Sequence, residues 1–211
     1  VIVQWCCKGI SKLDDEEVVD ILTGGPGILS NLWQGRGILD TGEAQARLTE
    51  RSLELHVNNY DGPDPAAKPP SPTKVRDVTP FISLSAGCVD RDVFRETNVL
   101  NPARRTALEF ATNTGQVPGW IFTCWVIVTL NRATPIEGVA EEVRDLNQGR
   151  RYSRYWPEGE IAAKINVPSR QILCVERWEP ASPTGGLRRR GGYINKGFAA
   201  PRPLLNLRRM L

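Results

Sequence analysis

Two glutamates, Glu158 and Glu160, flank Gly159. In a β-strand, residues i and i+2 point to the same face. This spacing can therefore bring both carboxylates into one cleft and give each its own task in acid–base or electrostatic catalysis. An isolated Glu-x-Glu is more commonly the solvated entrance of a strand, so the flanking residues matter. A loop carrying Tyr155 and Trp156 precedes the pair. The run Ile161-Ala162-Ala163-Lys164-Ile165 follows it, then the turn Asn166-Val167-Pro168-Ser169 and the apolar stretch Gln171-Ile172-Leu173-Cys174-Val175.

Few other side chains have types suited to a reactive cleft. Ser83 and Ser85 alternate with apolar residues in Phe81-Ile82-Ser83-Leu84-Ser85, so their hydroxyls share a face if that segment is a strand. His56 is the chain's only histidine. With one imidazole, and with Cys6, Cys7, Cys88, Cys124 and Cys174 scattered and lacking a CxxC pair, there is no zinc-ligand spacing, and no metal is expected. The odd cysteine count also argues against a complete disulfide framework. No GxGxxG, Walker or HExxH motif is present. A thiol–imidazole nucleophile would need Cys88 or Cys124 beside His56, and nothing local supports that pairing.

The elements that must position these residues follow from composition and periodicity. The chain has 211 residues, 40% of them hydrophobic and 24% charged, which suffices for one packed domain with extensions. Residues 1–50 read as an N-terminal helical extension: Ser11 is an expected N-cap, Asp14 to Glu17 supply first-turn acids, and Gly24-Gly25-Pro26-Gly27 stops the helix. A second helical pattern runs over 42–53. Residues 51–180 hold the strand signals, with strands expected at Ser52–Val57, Pro80–Ser85, Trp120–Val128, Gly159–Ile165 and Gln171–Trp178. Pro102 at a first helical position opens a helix through Ala111. A helix or turn is expected around 139–146.

The apolar run Trp120–Leu130 is too short to span a bilayer. Residues 181–211 carry Lys196 and six arginines and no acid, although the whole chain is only +3. They read as a basic Gly/Pro/Arg-rich arm, dispensable for the fold. This pattern predicts an α+β architecture of packed sheets with flanking helices.

Together these motifs resemble the mono-ADP-ribosyltransferases, the family of bacterial exotoxins and vertebrate ecto-enzymes. Its signature is a Glu-x-Glu or Gln-x-Glu, a small or apolar stretch, an I/V-P turn and a final apolar strand, which residues 158–175 match throughout. Residues 81–85 are similar to the family's aromatic, apolar, Ser-x-Ser strand. His56 stands where the family has an Arg or His ending its first strand, with Arg51 as the alternative. His56 together with Ser83 and Ser85 mixes the patterns of two branches. The resemblance covers about residues 51–180.

It implies an ADP-ribosyltransferase-like domain of two packed β-sheets with an NAD cleft, and NAD as co-substrate. It assigns Glu160 to stabilise the oxocarbenium-like state formed as the nicotinamide–ribose bond breaks, and Glu158 to orient or deprotonate the acceptor. Ser83 would hold Glu160, Ser85 would support the NAD site, and His56 would contact a ribose hydroxyl or the nicotinamide amide. Tyr155 and Trp156 would meet the acceptor, and the cations of residues 150–154 an acidic target or the NAD pyrophosphate. Two glutamates point to arginine on a target protein as acceptor. NAD hydrolysis is the alternative, and a protein- or nucleic-acid-binding module using the basic arm is the non-enzymatic one.

Overall fold

The computed structural model describes residues 2–36, 41–67, 73–86, 100–128, 139–142, 159–181 and 185–201. Strand β1 (Ile2–Ser11) pairs along its whole length with β4 (Gly119–Val128), from Ile2 opposite Val128 to Ser11 opposite Gly119. On the far side of β4 lies β8 (Ile172–Pro180), and beyond it β9 (Leu187–Ile194). A second group consists of β3 (Phe81–Ser85), β6 (Glu160–Lys164) and β5 (Val139–Glu142). The two groups join where Cys7 pairs with Ser85 and where β5 runs parallel to the end of β4. Strands β2 (Ile28–Leu29) and β7 (Asn166–Val167) form a separate antiparallel pair.

The main core lies between the two groups. Cys6, Trp120, Phe122, Cys124, Val126, Ile172 and Val175 from one meet Ile82, Leu84, Ile161 and Ala163 from the other, all buried. Helix α1 (Asp15–Thr23) closes this core with Val18 and Leu22. Its cap is Asp14 rather than the expected Ser11, which ends β1. The Glu17 amide donates to Asp14 Oδ1 at 2.8 Å and the Asp14 amide to Glu17 Oε2 at 2.9 Å, a reciprocal capping box. On the outer face of β3 and β6 sit α2 (Asn31–Arg36), α3 (Thr41–Arg47) and α4 (Glu50–Asn58), which bury Leu32, Ala44, Leu53 and Val57, with Leu48 between α3 and α4, against Phe81, Ala162 and Ile165. A short helix, α5 (Val75–Val78), leads into β3.

Helix α6 (Leu100–Ala111) lies across β1 and β4. It can do so because Gly9 and Gly119 have no side chains: a Cβ on Gly9 would stand 1.9 Å from the Ala107 carbonyl oxygen, and one on Gly119 2.1 Å from that of Ala111. Ile165, which follows β6, is a β-branched residue at φ 69°, a costly conformation. Its amide donates to the Pro80 carbonyl at 2.7 Å and its carbonyl accepts from the Ser30 amide at 2.8 Å. Those two bonds tie the end of β6 to the start of β3 and to α2.

Several expectations are corrected. Ser52–Val57 is helix, not strand: Thr49 accepts from the Ser52 amide at 3.1 Å as N-cap, and Leu53, His56 and Val57 fall at the i, i+3, i+4 spacing that buries one helical face. The helical pattern over 42–53 is two helices, α3 and α4, broken at Leu48-Thr49. Residues 139–142 form a strand rather than a helix or turn.

The boundaries expected at residues 50 and 180 do not separate units. Residues 2–11 are a strand within the main sheet, and residues 187–194 extend it as its last strand. The arm's described arginines are paired, Arg188 and Arg190 with Glu179 and Arg189 with Glu176. Beyond β9, the Asn195 side-chain amide donates to the Ser169 and Ile172 carbonyls at 2.7 and 2.9 Å, and the Trp125 indole donates to the Ala199 carbonyl at 2.9 Å. Truncation after Pro180 would strip these bonds and leave buried carbonyls unpaired, at about 1–3 kcal/mol for each orphaned group. A fall in the thermal unfolding midpoint is therefore expected. A truncated chain with the full-length midpoint would show that β9 is an appendage. Among the described residues, no helix is long and apolar enough to cross a membrane.

Candidate active site

Helix α4 carries His56 on its buried face, where the ring lies between Phe81, at 5.8 Å between centroids, and Tyr60, which meets it edge-on at 5.4 Å. Both ring nitrogens are engaged: Nδ1 lies 2.9 Å from the Thr79 hydroxyl and Nε2 2.9 Å from the Ser83 hydroxyl. Burial pushes its pKa from near 6.5 down to about 3, aided by the positive charge of Lys8. The imidazole is therefore neutral near pH 7.

Strands β3 and β6 bring the serines to the carboxylate. Ser85 lies directly opposite Glu160 and Ser83 opposite Ala162, so both serines and Glu160 share the sheet face that α4 covers. The Ser83 hydroxyl donates to Glu160 Oε1 at 2.7 Å. Glu160 is buried, with 7% of its surface exposed.

The donors and acceptors now fix one another. A carboxylate only accepts, so Ser83 spends its single proton on Glu160 and must accept from His56 Nε2–H. A neutral ring protonated at Nε2 accepts at Nδ1, so the Thr79 hydroxyl donates there. Thr79 in turn accepts from the Phe81 amide at 3.2 Å. This relay, Phe81 amide to Thr79 to His56 to Ser83 to Glu160, points every proton toward the carboxylate.

His56 sets a pH dependence. Between pH 6.5 and about 3 the unfolded chain binds a proton at this residue and the folded protein does not, so stability falls as pH is lowered through that window. The full loss is on the order of 5 kcal/mol. In proton NMR the single imidazole signal is expected to stay unshifted from pH 8 to 5 while urea stability declines below pH 6.5. A signal titrating near 6.5 would contradict the buried, neutral ring.

Glu160, Ser83, Ser85 and His56 line a cleft of about 480 Å³ bordered by β1, β3, α4 and α6. Lys8 of β1 lines it, half-buried and close enough to Glu160 for that charge to oppose the burial that lowers the Lys8 pKa. Cys7, also in the cleft wall, has a thiol pushed up to about 12, burial being the main cause, which keeps it protonated and unreactive.

The structure thus brings together Glu160, Ser83, Ser85 and His56, and adds Lys8, Thr79 and Tyr60, which the sequence reading did not single out. His56 reaches the cleft from a helix and not from the end of a strand. With both nitrogens taken, it has no polar atom left for the direct NAD contact expected of it. Arg51, the alternative, pairs with Glu54 at 3.0 Å on the exposed side of α4 and is not a cleft residue. Glu158, Tyr155 and Trp156 lie outside the described residues, as do residues 150–154. Among the described residues no group of three or more His, Cys, Asp or Glu side chains could hold a metal ion.

No protein-family model and no curated protein sequence matches the chain. Solved structures do. The chain has the ADP-ribosyltransferase fold, and the structure named EcPltA matches it with TM-score 0.52 at 12% identity, over 94% of this chain and 89% of that one. Variants of the heat-labile enterotoxin also align. One, described with its A subunit, does so at TM-score 0.47 and 15% identity over 92% of this chain and 75% of that one. An E. coli variant does so at 0.46 and 14%, over 92% and 76%.

Proposed function

We propose that the chain is a mono-ADP-ribosyltransferase that cleaves the nicotinamide–ribose bond of NAD and passes ADP-ribose to an acceptor, with arginine on a target protein the favoured one. The observation that carries this reading is a buried Glu160 carboxylate braced by Ser83 and His56 in an open cleft, on this fold. The cleft fits the dinucleotide in character. Its volume lies in the range of small-molecule sites, it has a cation in Lys8 for the pyrophosphate, and its walls carry both apolar and hydroxyl groups.

On this reading nicotinamide departs neutral with the electron pair of the broken C–N bond, and the ribose carbon left behind carries positive charge. Glu160 faces that charge as a fixed anion, held by Ser83 so that little reorganisation is needed when it develops. His56 and Thr79 act through Ser83 as positioning residues. Lys8 offsets the cost of keeping Glu160 ionised in a buried setting. Glu158 takes the proton that the acceptor nitrogen loses as its bond to the ribose carbon forms. Ser85 supports the NAD site beside Glu160, and Tyr155 and Trp156 meet the acceptor. When water takes the acceptor's place, the outcome is NAD hydrolysis. The ion pairs of Arg188, Arg189 and Arg190 neutralise charge that a nucleic-acid-binding arm would need.

The test is incubation of the purified chain with adenylate-labelled NAD and an arginine-rich protein. Label on the protein, removable by chemistry that cleaves arginine-linked ADP-ribose, is the expected result. Label on the protein that resists that chemistry would overturn the acceptor assignment, and free ADP-ribose alone would make the chain a glycohydrolase.

A further inference from the structure

The cleft has two aromatic stations, and the reading above uses only the end near one of them. Tyr60 stands beside His56, while Phe110, on α6, also lines the cleft, with 66% of its surface exposed. Its ring is therefore open to a ligand in the cleft. The sheet register measures the separation. Cys7, Ser85 and Glu160 form one row across β1, β3 and β6. Glu160 is therefore two strand spacings, about 10 Å, from β1. Gly9, two residues and about 7 Å further along β1, abuts the Ala107 carbonyl and the Ala111 amide, which bracket Phe110 on α6. The Phe110 backbone is thus displaced from Glu160 by about 12 Å in the plane of the sheet, a separation that suits the two halves of an extended dinucleotide.

We propose that Phe110 is the platform on which the adenine of NAD stacks, with the Thr106 side chain, one helical turn before it in the same wall, flanking the ring. This rests on the reading of the cleft as an NAD site. A flat, exposed aromatic face is the chemistry that recognises a purine, since every base offers a π-face for offset stacking. The proposal gives the two ends of the cleft separate tasks: Glu160 acts on the nicotinamide riboside half, and Phe110 holds the adenosine half.

Phe110→Ala, Phe110→Trp and the unaltered chain would be compared for nicotinamide release from NAD and from nicotinamide mononucleotide, which lacks the adenylate half. Binding of ADP-ribose would be measured alongside by calorimetry. Because Phe110 is exposed, neither substitution is expected to disturb folding. In Phe110→Ala, KM for NAD and Kd for ADP-ribose should rise about tenfold, the scale of one base–aromatic stack. The kcat should stay within about twofold, since the lost contact serves ground and transition state alike. Phe110→Trp should restore both constants, and the mononucleotide should be cleaved alike by all three proteins. Unchanged constants for NAD and ADP-ribose in Phe110→Ala, or an equal loss with the mononucleotide, would overturn the proposal. So would a wild-type chain that fails to bind ADP-ribose. A chain that binds ADP-ribose through Phe110 yet releases no nicotinamide would instead overturn the catalytic reading and leave this inference standing.

Discussion

Glu160→Gln is expected to lower nicotinamide release from NAD by roughly 10²–10³-fold or more, the scale of a lost electrostatic stabiliser. Gln is close to isosteric with Glu, and its carbonyl oxygen still accepts the Ser83 proton that now reaches Oε1 at 2.7 Å. The relay back through His56 and Thr79 therefore survives. What disappears is the negative charge. Because that charge is needed whichever nucleophile arrives, transfer and hydrolysis should fall together, with kcat carrying most of the loss. The thermal midpoint should change little, since a buried carboxylate is costly to hold even beside Lys8. Wild-type turnover in this variant would remove Glu160 from the mechanism.

Glu158→Gln should separate the two activities. Glu158 precedes Glu160 by two residues and serves the acceptor, so its loss should reduce ADP-ribose transfer to arginine by about 10²-fold or more, the usual contribution of a general base. NAD hydrolysis should be largely spared, because Glu160 remains to stabilise the ribosyl cation. The check is a paired assay on one preparation, with label on an arginine-rich protein for transfer and free nicotinamide for total cleavage. Equal loss in both would show that the two carboxylates act as one unit.

The pairing of the two strands that carry Ser83 and Glu160 was legible in the sequence. Phe81–Ser85 and Glu160–Lys164 each show the period of a strand between turn residues, and pairing these segments is enough to bring Ser83 to Glu160. His56 was legible as a cleft residue but for a mistaken reason. Leu53-Glu54-Leu55-His56-Val57 alternates like a strand, yet Leu53, His56 and Val57 also satisfy the helical period. Local pattern does not separate the two, and the Thr49 cap together with burial against Phe81 decides for helix.

Lys8 was missed because the first strand was missed. The glycines and acids after it read as helical punctuation, whereas Ile2, Val3, Trp5 and Cys6 are β-branched, aromatic and apolar residues suited to a long strand. The last strand was hidden for a related reason: Arg188 to Gly192 looks like solvated chain until Glu176 and Glu179 on β8 are known to face it. Pairing between residues far apart in the chain supplied what local periodicity lacked.

The central claim is that the Glu160 end of this cleft breaks the nicotinamide–ribose bond. The most direct measurement is proton NMR of NAD incubated with the purified full-length chain, following the nicotinamide ring signals, with no acceptor added and again with an arginine-rich protein present. The account predicts that free nicotinamide appears in both samples, faster with the acceptor, and that the Glu160→Gln protein produces none above background. NAD left intact in both wild-type samples, by a protein shown to be folded, would contradict it.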